Sequence, residues 1–144
     1  METVIRASME ACFETSLSVD FHLESMGPSG ERAVAGVTSG VMGPGDRVTW
    51  AARHFGLPVR MTSLISAYEK PTFFVDEQVR GPFKRWRHEH HFEATAEGTL
   101  MIDVAEFNAP AGPFGLLAER VLLTTYLTKL LEQRNAHLKA ALEA

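Results

Sequence analysis

Two histidines and an aspartate are the residues of this chain best placed to do chemistry. In the run Trp86-Arg87-His88-Glu89-His90-His91-Phe92-Glu93, side chains of an extended backbone alternate between faces. Trp86, His88, His90 and Phe92 then share one face. Arg85, Arg87, Glu89, His91 and Glu93 take the other, which is charged and belongs in water. A turn at Glu97-Gly98 leads into a second extended run, Thr99 to Phe107. If Phe92 pairs with Met101 across that turn, His90 lies opposite Asp103 and His88 opposite Ala105. Opposite residues have Cβ atoms about 4.5–5.5 Å apart. A His90–Asp103 pair in an apolar pocket is an acid/base unit, in which the carboxylate favours the charged imidazole and burial opposes it.

The preceding run, Thr72 to Arg80, adds to the same face. The turn at Gly81-Pro82-Phe83-Lys84 leaves its register open by one residue, and a one-residue slip exchanges the faces. The preferred register turns Phe74, Asp76 and Gln78 inward; the other turns Glu77 inward. Trp50 and His54 are lining candidates from the run Arg47 to Phe55. Met101, Phe107 and Phe114 add apolar surface, and Tyr126 brings a hydroxyl. The plainer reading of His88 and His90 is a satisfied polar cluster that pins strand register.

Other chemistries find less support. His88-x-His90 with Glu93 is close to the first metal motif of a cupin. However, six residues separate Gly81 from His88, only two separate His90 from Glu93, and Glu93 has the wrong parity. Two strand histidines need a third ligand to bind zinc, and His54, His22 or Asp103 would supply it only by accident of folding. No metal and no cofactor are therefore expected. There is no Gly-x-Ser-x-Gly elbow. Gly43-Pro44-Gly45-Asp46 lacks the lysine and hydroxyl residue of a phosphate loop. Cys12, the single cysteine, reads as a small buried hydrophobe that makes no internal disulfide.

These side chains need a frame. Residues 2–11 alternate with period two and read as a strand. Phe13 to Met26 carries helical spacing broken by serines, which suggests one or two short helices closed by Gly27-Pro28-Ser29-Gly30. Strand-like runs follow at 31–40, 47–55, 59–68 and 72–80, then the two described above. Short connections make antiparallel neighbours. From Phe114 to Leu142 the pattern is one amphipathic helix, on the order of 40 Å long. Leu116, Leu123, Leu127, Leu130, Leu131, Leu138 and Leu142 form its apolar stripe. Its charges are mixed rather than basic, which favours packing on a sheet over lying on a membrane.

At 144 residues with 45% hydrophobic and 22% charged content, a single domain over 1–144 is expected. The net charge of −4, with no segment dominated by Lys and Arg, argues against nucleic acid. No run is apolar enough to span a membrane, and the N-terminus shows no basic region followed by an apolar run. A cytoplasmic protein, monomer or homodimer, is the simplest expectation.

The order strand, short helices, six antiparallel strands and long helix resembles the START-like, polyketide cyclase and birch-pollen-allergen-like superfamily (SRPBCC). Phe74-Val75-Asp76-Glu77-Gln78-Val79-Arg80-Gly81-Pro82-Phe83 is similar to the fifth strand and turn of its bacterial members. Trp86 to Glu93 with Gly98-Thr99 resembles the next hairpin. Pro110-Ala111-Gly112-Pro113-Phe114-Gly115 resembles the approach to the last helix, and Gln133-Arg134-Asn135 a segment within it. The resemblance implies an α+β helix-grip fold: a curved antiparallel sheet of about seven strands wrapped around the C-terminal helix. It implies a pocket between them for a small hydrophobic molecule. The alternatives are a cyclase or dehydratase-like enzyme using His90 and Asp103, and an interaction module with a closed core.

Overall fold

The computed structural model describes residues 1–27, 30–54, 56–108 and 117–144; for residues 117–119 it describes the backbone. Its elements are β1 (Glu2–Ile5), α1 (Met9–Ser16), α2 (Val19–Ser25), β2 (Arg32–Gly36), β3 (Arg47–His54), β4 (Leu57–Glu69), β5 (Phe73–Arg80), β6 (Arg85–Thr95), β7 (Gly98–Asn108) and α3 (Leu117–Glu143). The strands form one seven-stranded antiparallel sheet in the order β1-β7-β6-β5-β4-β3-β2. This is the expected α+β helix-grip architecture. Sequential strands pair through short turns, and β1 closes the edge beside β7.

The alternation over residues 2–11 overstates the first strand. It stops at Ile5, because Ser8 turns the chain: its side chain accepts from the Ala11 amide at 3.1 Å and caps α1. A capping hydroxyl satisfies one of the amides a helix start leaves open, and this outweighs the period-two pattern beyond it. Ser18 repeats the device for α2, accepting from the Phe21 amide at 3.1 Å. At the β6–β7 turn Gly98 has φ 141°, and a Cβ there would strike the Ile5 carbonyl of the neighbouring strand. Only glycine lets the two chains approach so closely.

The core gathers at one end of the sheet, under α1 and the last turns of α3. Ile5, Cys12, Phe13, Val19, Phe74, Met101 and Leu138 are buried there. Phe13 of α1 sets its ring edge-on to Tyr68, Phe74 and Phe92, at centroid distances of 5.3, 5.5 and 5.5 Å. Such edge-to-face contacts suit aromatic quadrupoles. Toward its N-terminal half α3 stands off the sheet. Leu123, Leu127, Leu130 and Leu131 are only half-buried, and they face a cavity.

Candidate functional site

The concave face of the sheet positions the site. The register is Phe74↔His90 and Asp76↔His88 between β5 and β6, and His90↔Asp103 and Phe92↔Met101 between β6 and β7. The β6–β7 register is the expected one, and β5 adopts the preferred alternative, with Phe74 and Asp76 inward. The hydrogen bonds, however, run along the diagonals. His88 Nε2 lies 2.8 Å from Asp103 Oδ1, and His90 Nε2 lies 2.6 Å from Asp76 Oδ2. The anticipated His90–Asp103 pair remains 3.5 Å apart and is not a hydrogen bond. Sheet twist offsets facing side chains, so long ones reach the diagonal neighbour instead.

The rings reinforce this arrangement. His88 stacks on His90 at 3.8 Å, and His90 on Phe74 at 4.0 Å. Beneath them α3 supplies two buried polar residues, Arg134 and Asn135. Asn135 Nδ2 donates to Asp103 Oδ2 at 2.7 Å, and Arg134 Nη1 donates to the Asn135 amide oxygen at 3.1 Å. Arg134 is 3.8 Å from Asp103 Oδ1. Asp103 is thus held by the sheet on one side and the helix on the other.

Burial pushes the Asp76 carboxyl up, but the hydrogen bond from His90, with the imidazoles and the Arg134 guanidinium beside it, outweighs burial and sets its pKa at about 2. Burial also opposes ionisation of Asp103, yet the His88 hydrogen bond, with His90 and the Arg134 guanidinium close by, holds it well below the usual carboxylate range. Burial, helped by the adjacent His88, drives His90 down to about 4, against the raising pull of Asp76. At neutral pH both carboxylates are therefore ionised and His90 is neutral. His90 must then donate its Nε2 proton to Asp76. Its other nitrogen, Nδ1, is a buried acceptor without a partner, facing Asp103.

Asp76, His88 and His90 also bring donor atoms within 4.8 Å of one another, as a metal set would. A ligating imidazole holds its ion in the ring plane, about 2.0–2.1 Å from nitrogen. Two rings stacked 3.8 Å apart and tilted by 26° share no such point. The rings would have to turn out of their stack, and the 2.6 Å Asp76–His90 bond would have to open.

The cluster forms one wall of a cavity of about 650 Å³ between the sheet and α3. Of the anticipated residues, Trp50, His54, Phe74 and Asp76 line it, as do Trp86, His88, His90 and Tyr126. Four others do not. Asp103 lies behind His88, bonded to Asn135. Met101 is 2% exposed and belongs to the core. Gln78 braces the β5–β6 turn, its amide donating to the Phe83 carbonyl at 2.7 Å and accepting from the Phe83 amide at 3.2 Å. Phe107 packs on Phe83 and Trp86 at 5.8 and 6.2 Å, outside the cavity wall. Phe114 and the approach to the last helix lie outside the described residues.

A second polar pair spans the cavity. His54 Nδ1 meets the Tyr126 hydroxyl at 2.6 Å, joining β3 to α3. Nearby, His22 stacks on Trp50 at 4.2 Å and bonds Glu31 at 2.7 Å. The lining roles of Glu31 and Arg134 escape the sequence reading. Arg134 had a signal: it falls on the leucine stripe, three positions after Leu131 and four before Leu138. A charge inside an apolar stripe is buried for a reason.

The solved structures agree with the fold. TTHA0849 from Thermus thermophilus matches at TM-score 0.74 and 18% identity, over 98% of this chain and 96% of that one. Ginseng major latex-like protein 151 from Panax ginseng matches at 0.68 and 16%, over 100% and 95%. Ara h 8.0201 matches at 0.65 and 14%, over 96% and 94%. No family model and no curated protein matches the sequence. The chain has the helix-grip fold, as the resemblance implied. At these identities the likeness establishes the fold alone. Among the described residues no helix is long and apolar enough to cross a membrane.

Proposed function

We propose that the protein binds a small, largely apolar organic molecule in the cavity between the sheet and α3. The observation that carries this is the cavity itself. Its volume of about 650 Å³ falls inside the range of roughly 300–1,000 Å³ usual for small-molecule sites. Leucines of α3 and Trp50, Phe74 and Trp86 of the sheet supply its apolar contact. Asp76 and the two histidines give one wall polar groups that orient a bound molecule. A cavity of this size lends no support to a core closed by its own side chains.

Native mass spectrometry on protein purified from cells tests the reading. An added organic mass of a few hundred daltons supports it. A bare mass, together with unchanged Trp50 and Trp86 emission on titration with a hydrophobic fluorescent probe, refutes it.

A second reading rests on His90, which lines the cavity, with Asp103 3.5 Å from its Nδ1. In that reading the protein is a cyclase or dehydratase-like enzyme, with His90 as the base and Asp103 stabilising its charged form. Catalytic bases work best with a pKa near the operating pH, and His90 at about 4 is far from it, so binding without catalysis is the better supported of the two. His90→Ala separates them. The enzyme reading requires turnover of a polyketone to vanish while affinity stays within a few-fold, and it fails if no polyketone is converted by the unmodified protein.

A further inference from the structure

One charged group on the cavity wall has bonding capacity that the protein does not use. Arg134 is 7% exposed and lines the cavity. A guanidinium carries several N–H donors in a planar fork. Among the described residues only Nη1 finds an acceptor, the Asn135 amide oxygen at 3.1 Å. Asp103 Oδ1 is 3.8 Å from Nη1, too far for a hydrogen bond. Nε and Nη2 have no acceptor among the described residues. They are also not among the polar atoms sealed inside the protein, so they open on the cavity that Arg134 lines.

A counterion role toward Asp103 does not account for those donors. Asp103 Oδ1 lies 2.8 Å from His88 Nε2, and Oδ2 accepts from Asn135 Nδ2 at 2.7 Å. That carboxylate is hydrogen-bonded on both oxygens without the arginine. Charge attraction favours Arg134 near it, yet attraction at this distance leaves N–H groups unpaired, and an unpaired buried donor is costly, more so when charged. The neighbours of Arg134 along the helix stripe offer no acceptor: Leu127, Leu130 and Leu131 line the same cavity. Two other polar pairs on the cavity are already closed on themselves, His54 with Tyr126 at 2.6 Å and His22 with Glu31 at 2.7 Å. A bound molecule can supply the acceptor. Its oxygen would meet a donor fork that Asn135 steadies at one corner.

We infer that Arg134 anchors the ligand, which presents a carbonyl oxygen (of a ketone, an ester or a carboxylate) to Nε and Nη2 while its apolar chain lies against Trp50, Trp86 and the leucines of α3. This rests on the proposed binding function and adds the chemical group that the ligand carries. The guanidinium suits the task because its planar fork aims parallel donors at one oxygen or at a pair. A ketone or ester takes those donors without adding charge. A carboxylate takes them more strongly but sets a third anion beside Asp76 and Asp103. The acceptor is common to both, and experiment separates them.

The test uses 2-decanone, decanoate and 2-methyl-1-decene, an apolar isostere of the ketone, with affinities read by Trp50 and Trp86 emission. Arg134→Met should weaken 2-decanone about tenfold, the size of one hydrogen bond to a charged group, and leave the isostere within about twofold. Arg134→Lys, which keeps a cation near Asp103 but not the fork, is the companion variant and should also weaken the ketone. In the unmodified protein, the infrared stretch of 2-decanone labelled with carbon-13 at the carbonyl should fall below its value in an alkane by at least as much as it does in water. Tighter binding of decanoate than of 2-decanone assigns a carboxylate ligand, and the reverse assigns an uncharged carbonyl; in either case Arg134→Met must weaken the tighter compound, or the inference fails. An alkane-like stretch for bound ketone, or ketone affinity unchanged in both variants, overturns the inference while leaving the binding function standing. Failure of all three compounds to bind, with a bare native mass, removes the binding function and the inference with it. The infrared shift in the unmodified protein decides the matter if neither variant folds.

Discussion

His90 makes stability depend on acid in a way that can be calculated. Its folded pKa is depressed from 6.5 to about 4, so the unfolded chain takes up the proton first. Stability is fully present above the unfolded value, falls as the pH drops below about 6.5, and stops falling from this source near 4. At about pH 5 the imbalance is worth about 2 kcal/mol, and across the whole window about 3 kcal/mol. Asp76 acts in a lower window: its depressed pKa of about 2 adds stability that is lost only as the pH falls from 3.8 toward that value. The perturbation is His90→Phe, which keeps a ring between Phe74 and His88 and removes the titration. The assay is urea unfolding of both proteins at neutral pH and at about pH 5. The unmodified protein should lose about 2 kcal/mol more than the variant, an excess midpoint shift of about 1 M for a typical urea slope. Equal losses in the two proteins would refute the assignment of a buried, neutral His90.

Three further outcomes follow from contacts already described. Asn135→Ala removes a 2.7 Å hydrogen bond to buried Asp103 and should cost about 1–3 kcal/mol in urea unfolding; Asn135→Asp should cost more, because it sets a second carboxylate against the first. Cys12 is fully buried and its thiol pKa is raised by that burial, against a lowering contact with Thr99, so a thiol reagent should modify it only after denaturant is added. Ser8→Ala removes the α1 cap and should lower stability by about 1 kcal/mol, measured the same way, with Trp50 and Trp86 ligand response unchanged.

Much of the frame was legible because it follows from periodicity. Alternation in β6 and β7, with a turn at Gly98, gives the inward faces and even the His90↔Asp103 register. Other features were not legible. The alternation of residues 2–11 continues past Ile5, and only the capping geometry of Ser8 ends the strand there. Which carboxylate each histidine bonds depends on a diagonal offset set by sheet twist, and twist leaves no mark on a period of two. Gln78 shows a similar limit. Its parity points inward, but its amide is taken by the backbone of Phe83 in the next turn, a contact that depends on the turn's shape.

The two halves of α3 show why a polar cluster and an apolar cavity adjoin. From Leu123 to Leu131 the stripe is wide and only half-buried, and it faces open volume. From Arg134 onward the helix meets β1, β7 and α1: Asn135 bonds Asp103 and reaches Thr3 at 3.3 Å, Leu138 is fully buried, and Lys139 donates to the Val4 carbonyl at 2.6 Å. The helix is anchored at one end and stands away from the sheet at the other. Arg134 and Asn135 mark the boundary. A leucine at 134 would add apolar burial but leave Asp103 ionised with one cation fewer beside it, and an uncompensated buried charge is strongly destabilising. The carboxylate needed to hold His88 requires the guanidinium, and the guanidinium sits where the stripe passes from lining a cavity to packing a core.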